Sequence, residues 1–340
     1  MRPVLAISMC DPAGIGPEIC VKALADAALF KCCVPVVIGD RIAVEDAMRY
    51  TGSSLRLRCV SALPEAKGEA GVLELVDLGL MTRETYRCGK VSAACGEAAF
   101  QYIVRAIRCA MDGEASAVVT GPINKEAIHL AGHPFSGHTE IFAHYTGAED
   151  YAMLLMGGGL RVIHCTTHVS MRQACDLITQ ARVYRTIRLA AQALREIGLP
   201  HGRVGVAGLN AHCSENGLFG HEEADAILPA IEQARAEGVN VEGPVPPDTV
   251  FVKALAGQYD MIVAMYHDQG HIPLKLCGFR MDAATGLFTS MSGVNVTIGL
   301  PIIRTSVDHG TAFDRAGRNL ANAESMTDAI RLAVQMAAHR

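Results

Sequence analysis

The sequence predicts an α/β protein with a largely parallel core, on three observations. Short, wholly apolar runs of strand length recur along the chain, among them Val4–Ser8, Val34–Gly39 and Ala117–Thr120. Segments of helical periodicity alternate with them, which is the pattern of strand-helix-strand units around a parallel sheet. Several of the apolar runs also stop abruptly in polar, histidine-bearing residues, and in open α/β sheets ligands bind beyond the carboxyl ends of the strands.

Taken in order, Val4–Ser8 is a strand that runs into Cys10-Asp-Pro-Ala-Gly-Ile-Gly-Pro-Glu18. Pro17 suits the first position of a helix and Glu18 its positively polarised first turn. The two glycines ahead of that helix suit either an anion cradle or a tight strand-to-helix turn. Val34–Gly39 is a second strand, 41–49 a helix, and 54–78 short strands and turns. Helical periodicity runs through Ala99, Ile103 and Ile107, and Ala117–Thr120 ends in Gly121-Pro-Ile-Asn-Lys125 before a further helix. Residues 132–140 read as a polar, histidine-rich loop. Two strands, 151–156 and Leu160–His164, flank three consecutive glycines, the grammar of a hairpin. Helices follow at 183–197 and 222–238, with a strand at 203–208 between them and a stiff, proline-rich loop at 243–248. The strand at 261–265 precedes strands at Val294–Ile298 and 301–305, and a helix over 323–338 closes the chain.

Composition narrows the function classes. A chain of 340 residues suffices for two domains of roughly 100–200 residues each. Half of it is hydrophobic, so a sizeable core is available, and 33 glycines allow many tight turns. With a net charge of −5 and no basic stripe, nucleic acid is not an expected partner. No apolar run approaches the roughly 20 residues of a membrane helix. Twelve cysteines are scattered without a C-x-x-C pair or regular spacing, which reads as reduced, mostly buried thiols in a cytoplasmic protein. The G-x-G-x-x-G dinucleotide fingerprint is absent.

The sharpest local signal is Met261-Ile-Val-Ala-Met-Tyr-His-Asp-Gln-Gly-His271, a buried strand that delivers imidazoles, a carboxylate and an amide to its end. His168 and His212 likewise follow apolar strands, so three imidazoles converge if those strands share one sheet edge. Three neutral imidazoles and an open position suit a catalytic divalent ion such as Zn²⁺. The spacing is not a compact metal signature, and a capped strand end is the plain alternative for each histidine.

A family resemblance rests on six motifs: Gly-His-Thr-Glu (137–140), Thr-Thr-His (166–168), Gly-Leu-Asn-Ala-His (208–212), Tyr-His-Asp-Gln-Gly (266–270), Gly-Val-Asn (293–295) and Ile-Arg-Thr-Ser-Val-Asp-His-Gly-Thr-Ala (303–312). These resemble the 4-hydroxythreonine-4-phosphate dehydrogenase family along essentially the whole chain. The resemblance implies a homodimer of two-domain α/β/α subunits, isocitrate/isopropylmalate dehydrogenase-like, with the active site in the interdomain cleft and near the partner subunit. It implies a first domain from 1–128 plus 278–340 that binds cofactor, and a second from 129–277 with metal ligands and dimer contacts. Carried over, the metal ligands are His168, His212 and His267, and the substrate contacts are His138, Thr139, Lys275, Asn295 and Arg304. His309-Gly-Thr-Ala-Phe-Asp-Arg-Ala-Gly-Arg-Asn319 is similar to the adenosine-binding loop of the isocitrate-type enzymes. It makes His309, Asp314 and Asn319 cofactor candidates.

Within the family, Asn124 to His133, Glu215 to Gly220 and His267 to Leu276 resemble the branch acting on 4-phospho-D-threonate or 4-phospho-D-erythronate. The implied reaction is oxidation by NAD (or NADP), with one divalent ion (Zn, Mg, Co or Mn), to a 3-keto acid that decarboxylates to dihydroxyacetone phosphate. Asp268 is the candidate base and Lys275 a catalytic cation. The alternatives are 4-phosphohydroxy-L-threonine oxidation in vitamin B6 biosynthesis, a cyclic diol carboxylate dehydrogenase, and a non-catalytic metal- or phosphometabolite-binding protein. Two departures stand out: Cys10 occupies a position where the family has glycine, and 280–292 is longer than the family's direct link, reading as a hairpin or flap.

Overall fold

The computed structural model describes residues 2–284, 286 and 288–340. The chain forms two compact units, one comprising residues up to Glu149 together with Leu300–Ala338, the other Asp150–Gly299 with His339–Arg340. The 1–128/278–340 and 129–277 division expected from the resemblance differs from this partition. Residues 129–149 belong with the first unit and 278–299 with the second.

The first unit begins β1 (Val4–Ser8), α1 (Gly16–Ala23), α2 (Leu29–Cys32), β2 (Val34–Gly39), α3 (Arg41–Thr51), β3 (Arg56–Val60) and β4 (Val72–Asp77). It continues with α4 (Ala93–Met111), β5 (Ala117–Thr120), α5 (Lys125–Leu130) and α6 (His138–Thr146). The second unit holds β6 (Ala152–Gly157), β7 (Leu160–His164), α7 (Met171–Asp176), α8 (Gln180–Glu196), β8 (Val204–Ala207), α9 (Leu228–Ala236), β9 (Val241–Val245) and α10 (Val250–Leu255). It ends with β10 (Met261–Ala264), α11 (His267–Gly278), β11 (Phe279–Met281), β12 (Phe288–Met291) and β13 (Val294–Ile298). The chain then returns to the first unit through β14 (Arg304–Val307) and α12 (Glu324–Ala337).

In the first unit six strands run in the order β3-β4-β2-β1-β5-β14, every neighbouring pair parallel. Strands covered on both faces have no solvent side, so they read as unbroken apolar runs rather than alternating ones. All six residues of β2 and the last four of β1 are buried. Leu5 and Ile7 are fully buried, each contributing roughly 1.5–3 kcal/mol. The register sets Ser8 opposite Thr120 and Arg304 opposite Val118, which brings the ends of β1, β5 and β14 together.

The second unit orders its strands β13-β6-β7-β10-β8-β9. β13, β6 and β7 pair antiparallel, and β7, β10, β8 and β9 pair parallel. The glycines after β6 make the expected hairpin, with Gly158 and Gly159 both at positive φ. Helix α8 buries Val183, Ile187, Ala190 and Leu194, a one-sided apolar stripe. Its start and that of α7 are capped by Thr179 and Ser170, whose side chains accept backbone N–H bonds. β11 and β12 pair antiparallel, so the segment 280–292 contains a hairpin; Leu287, expected to pack there, lies outside the described residues.

Three local expectations are corrected. His138 opens helix α6 rather than lying in a loop, because the apolar Ile141, Phe142 and Ala143 that follow it are buried on one side. The stiff loop at 243–248 begins as edge strand β9, where a proline is tolerated because its missing donor faces no partner strand. The strand expected at 301–305 lies three residues later, at Arg304–Val307. Of the two readings left open for Gly14 and Gly16, the tight turn holds: a Cβ at Gly16 would lie 2.1 Å from the Met9 carbonyl oxygen and one at Gly14 2.9 Å from Thr311.

Candidate functional site

The parallel order of β7, β10 and β8 sends the segments carrying His168, His267 and His212 off one edge of the second unit's sheet. Thr166 donates its hydroxyl to the Met265 carbonyl at 2.9 Å, tying the β7 segment to the β10 end. The buried Gln269 side chain joins β10 to β8: its amide donates to the Gly208 carbonyl at 2.8 Å while its oxygen accepts from Met265 N at 2.7 Å. His267 stands at the start of α11 with its ring centroid 5.6 Å from that of His168. Its Nδ1 is bonded to Asp268 Oδ1 at 2.6 Å, which leaves Nε2 as the outward nitrogen. That bond holds the Asp268 carboxyl below the usual carboxylate range. A carboxylate so engaged orients the imidazole better than it would abstract a proton.

Behind this pair lies an imidazole stack that the sequence reading passed over. His271, one turn along α11, stacks on His267 at 3.6 Å and 12°, and His164 at the end of β7 lies 4.8 Å from His271. Burial lowers His164 to about 3 and His271 to about 4, so both are neutral at neutral pH. Gly270 makes room for the stack, since a Cβ there would lie 2.3 Å from His164 Nε2. Lys275, a further turn along α11, is exposed, with its ammonium 5.6 Å from the Phe279 ring. Asn295 sits half-buried on β13, opposite Leu155.

His212 is presented differently. It begins a run of five consecutive non-glycine residues in the left-handed region, His212, Cys213, Ser214, Glu215 and Asn216, with φ between 45° and 67°. Each such residue costs roughly 1–2 kcal/mol, so the run persists only where its surroundings impose it. His212 is exposed at the head of this turn. Among the described residues no group of three His, Cys, Asp or Glu side chains is arranged to hold a metal ion. One chain therefore sets His168 and His267 side by side, their rings tilted by 45°, and does not bring His212 into a three-donor set with them.

In the first unit a cationic site forms at the ends of β1 and β5, where Arg304 reaches across from the start of β14. Arg304 is only 2 % exposed, donates to Thr120 Oγ1 at 2.9 Å, and lies over the Phe142 ring at 5.5 Å. Burial lowers its pKa to about 10, so it remains a cation at neutral pH. His138, in the first turn of α6, has Nε2 3.3 Å from the Cys10 thiol, itself 3.4 Å from Ser8 Oγ. Burial, with the nearby charges of Arg304 and Lys125, keeps His138 well below its ordinary pKa and neutral. Burial pushes the Cys10 thiol up to about 12, so it too is neutral. Thr139 follows in the same helical turn. The five carried-over substrate contacts thus divide, with His138, Thr139 and Arg304 in the first unit and Lys275 and Asn295 in the second.

The cofactor candidates occupy the segment between β14 and α12. His309 bonds Gly310 O through Nδ1 at 3.1 Å, while its buried Nε2 has no hydrogen-bond partner. Asp314 is exposed beside Arg315 at 3.6 Å, and Asn319 is exposed at φ 58°. The segment is anchored at both ends, by Ile15 N donating to Thr311 O at 3.0 Å and Ala321 N to Glu18 Oε1 at 2.8 Å. An orphaned buried imidazole nitrogen on an anchored loop fits a hydrogen-bonding ligand such as an adenine.

Parallel strands whose ends meet a desolvated guanidinium in one unit and neighbouring imidazoles in the other define an α/β protein of the strand-end-site class. More particularly, the chain belongs to the family described as pyridoxal phosphate biosynthetic protein PdxA, which matches residues 31–333. It is 47 % identical to the D-threonate 4-phosphate dehydrogenase of Cupriavidus necator, covering 99 % of this chain and 98 % of that one. The 4-hydroxythreonine-4-phosphate dehydrogenase structure from Klebsiella pneumoniae aligns with a TM-score of 0.87 at 46 % identity, over 99 % and 98 % of the two chains. A terephthalate 1,2-cis-dihydrodiol dehydrogenase from Burkholderia xenovorans aligns at TM-score 0.68 and 34 % identity, over 98 % of each chain.

Proposed function

We propose that this protein oxidises the hydroxyl of 4-phospho-D-threonate or 4-phospho-D-erythronate with a nicotinamide cofactor. Hydride leaves C3, the hydroxyl loses its proton, and the resulting 3-keto acid sheds CO₂ to give dihydroxyacetone phosphate. The observation that carries this reading is the desolvated Arg304 beside neutral His138, a receptor for an anionic substrate group. A planar guanidinium held by Thr120 and Phe142 keeps a fixed fork for phosphate or carboxylate oxygens. The neutral imidazole donates a hydrogen bond without adding charge. Lys275 adds a point charge and Asn295 an amide for the remaining polar groups. The relatives named for D-threonate 4-phosphate support the 4-phosphorylated acid as substrate.

The nicotinamide cofactor supplies the hydride acceptor, and His309, Asp314 and Asn319 are the residues that would hold it. The metal donor set does not close within one chain. Two imidazoles suit a borderline ion such as Zn²⁺, and Asp268 orients one of them as outer carboxylates do. We propose a cytoplasmic homodimer whose second copy completes the set. The second unit also exposes the apolar Leu218, Phe219, Ile272 and Leu276, surface that commonly marks a protein–protein contact.

The test is NADH formation, in the presence of Zn²⁺, Mg²⁺, Co²⁺ or Mn²⁺, with 4-phospho-D-threonate, 4-phospho-D-erythronate and 4-phosphohydroxy-L-threonine. Highest kcat/KM on either of the first two supports the proposal. Preference for the third would place the chain in vitamin B6 synthesis, the second reading, favoured by the solved structures of 4-hydroxythreonine-4-phosphate dehydrogenases. No turnover with any would leave a binding protein. Mixing His212→Ala and His267→Ala chains tests the shared site, since a mixed dimer regains one intact site only if His212 crosses between copies.

A further inference from the structure

The turn that carries His212 has an explanation one helix away. Glu223 opens a single π-helical turn, Glu223–Ile227, ahead of α9, and is only 4 % exposed. Its Oε1 accepts from Leu209 N at 2.8 Å and Asn210 N at 2.7 Å. Its Oε2 accepts from Asn210 Nδ2 at 2.9 Å and from the Ser214 hydroxyl. Burial pushes this carboxyl's pKa up, but the bonds from Ser214 and Asn210 outweigh that, and it lies below its ordinary value. The neighbouring Glu222 takes a second bond from Asn210 Nδ2 at 2.8 Å.

Two glycines leave space for these carboxylates. A Cβ at Gly208 would lie 3.2 Å from Glu223 Oε1 and 2.8 Å from Cys213 Sγ, and one at Gly220 would lie 2.7 Å from Glu222 Oε2. An ionised carboxylate is acceptor-only, so it can receive all four donors at once; a glutamine of the same size must present N–H where Oε2 now accepts. Five successive L-residues do not adopt the left-handed conformation by local preference. Glu223 bonds Leu209 and Asn210, which lead into the run, and Ser214 in its middle, so one side chain holds 209–214 together. π-turns are often found at functional sites, and here the turn places the start of α9 against the residues that follow β8.

We infer that Glu223 is a positioning residue: its carboxylate imposes the left-handed turn that presents His212. The turn is a statement about the protein alone, while its consequence for catalysis rests on the reading of His212 as a metal ligand. Glutamine at this position removes the acceptor and relaxes the turn. Glycine within the turn takes the same conformation without being held.

The experiment compares the full-length wild type, Glu223→Gln, and Glu223→Gln combined with Ser214→Gly and Asn216→Gly. In metal-free protein, Glu223→Gln should speed amide exchange at Leu209 and Asn210 at least 30-fold and leave the β8 amides unchanged. Zinc affinity should fall roughly 10- to 100-fold, the usual effect of losing a group that orients a ligand. kcat should fall with it, while KM for the phosphorylated acid moves less than threefold. The added glycines should restore most of the zinc affinity. Unchanged exchange and affinity in Glu223→Gln would overturn the inference, as would a loss that the glycines do not repair. If Glu223→Gln fails to fold, the wild type decides: Leu209 and Asn210 amides exchanging as fast as exposed loop amides would refute a holding carboxylate, and protected ones would support it. The ligand reading is tested separately. Unchanged zinc affinity in His212→Ala would remove His212 from the metal site and leave the exchange result standing.

Discussion

The two units solve the same problem, a polar site beyond the ends of parallel strands, in opposite ways. In the first, Arg304 is taken out of water and supported by Thr120 and Phe142, so the groups that would grip an anion lie within one chain. In the second, His212 and His168 stay exposed, and the neutral stack of His271 and His164 lies behind His267. Desolvation strengthens one charge acting on an anion, because the same interaction is worth far more out of water. A metal site needs the reverse, donor nitrogens left open and neutral.

That contrast can be broken in order of expected effect. His168→Ala or His267→Ala should abolish zinc binding and lower kcat by a thousandfold or more, about 4 kcal/mol of barrier, with substrate binding to the first unit retained. Metal analysis and steady-state kinetics check this, and full activity in a metal-depleted variant would remove the histidines from the chemistry. Arg304→Lys should cut kcat/KM by about a hundredfold, roughly 2.7 kcal/mol, because a lysine cannot reproduce the two-pronged contact. Parent-like kinetics with intact folding would assign Arg304 to structure.

The units should also diverge with pH. His164 is held at about 3, below its unfolded value near 6.5, so the unfolded chain binds the extra proton. Its contribution to stability is present above pH 6.5 and is lost as pH falls toward 3. Asp11 in the first unit is raised by burial to about 6 from 3.8 and acts in the opposite sense. Its folded state favours the proton, so its contribution is full below pH 4 and declines as pH rises through 6. Each tenfold change in proton affinity is worth about 1.4 kcal/mol, so His164 carries an acid sensitivity of several kcal/mol. His164→Leu should flatten the rise of the second unit's stability between pH 4 and 6.5, measured by denaturation monitored through exchange in β7; an unchanged slope would count against the assignment.

The smallest effect concerns thiols. Burial raises Cys10 to about 12 and Cys165 to about 11, so a neutral-pH alkylating agent should leave both unmodified in the folded protein. Labelling of either one, read by mass spectrometry, would show that its strand end opens in solution. The exposed Cys59, Cys88 and Cys175 provide the internal control.

Much of this was legible in the residues. Strands buried on both faces are largely apolar, so β1, β2 and β5 were found at their observed bounds. Glycines that require positive φ marked the β6–β7 hairpin. Motif positions drew attention to His138 and Arg304, though nothing local joined them, because the two stand 166 positions apart. Elsewhere local pattern failed. His138 looked like loop because its polar neighbours masked the buried side of a short helix. Glu223 carried no signal, since an acidic residue near a helix start reads as solvated until its four donors are seen.

The sequence by itself determined the class of fold, the strands and the residue types that supply the chemistry, because apolar runs and periodicity are local properties of the chain. Tertiary structure decided which of those residues meet. Register set Arg304 opposite Val118, from where its side chain reaches Thr120. Strand order placed the His168, His267 and His212 segments at one sheet edge. A buried carboxylate fourteen residues from Leu209 set the turn on which His212 stands. Such contacts depend on the desolvation and geometry of side chains remote in sequence, and no local pattern encodes them.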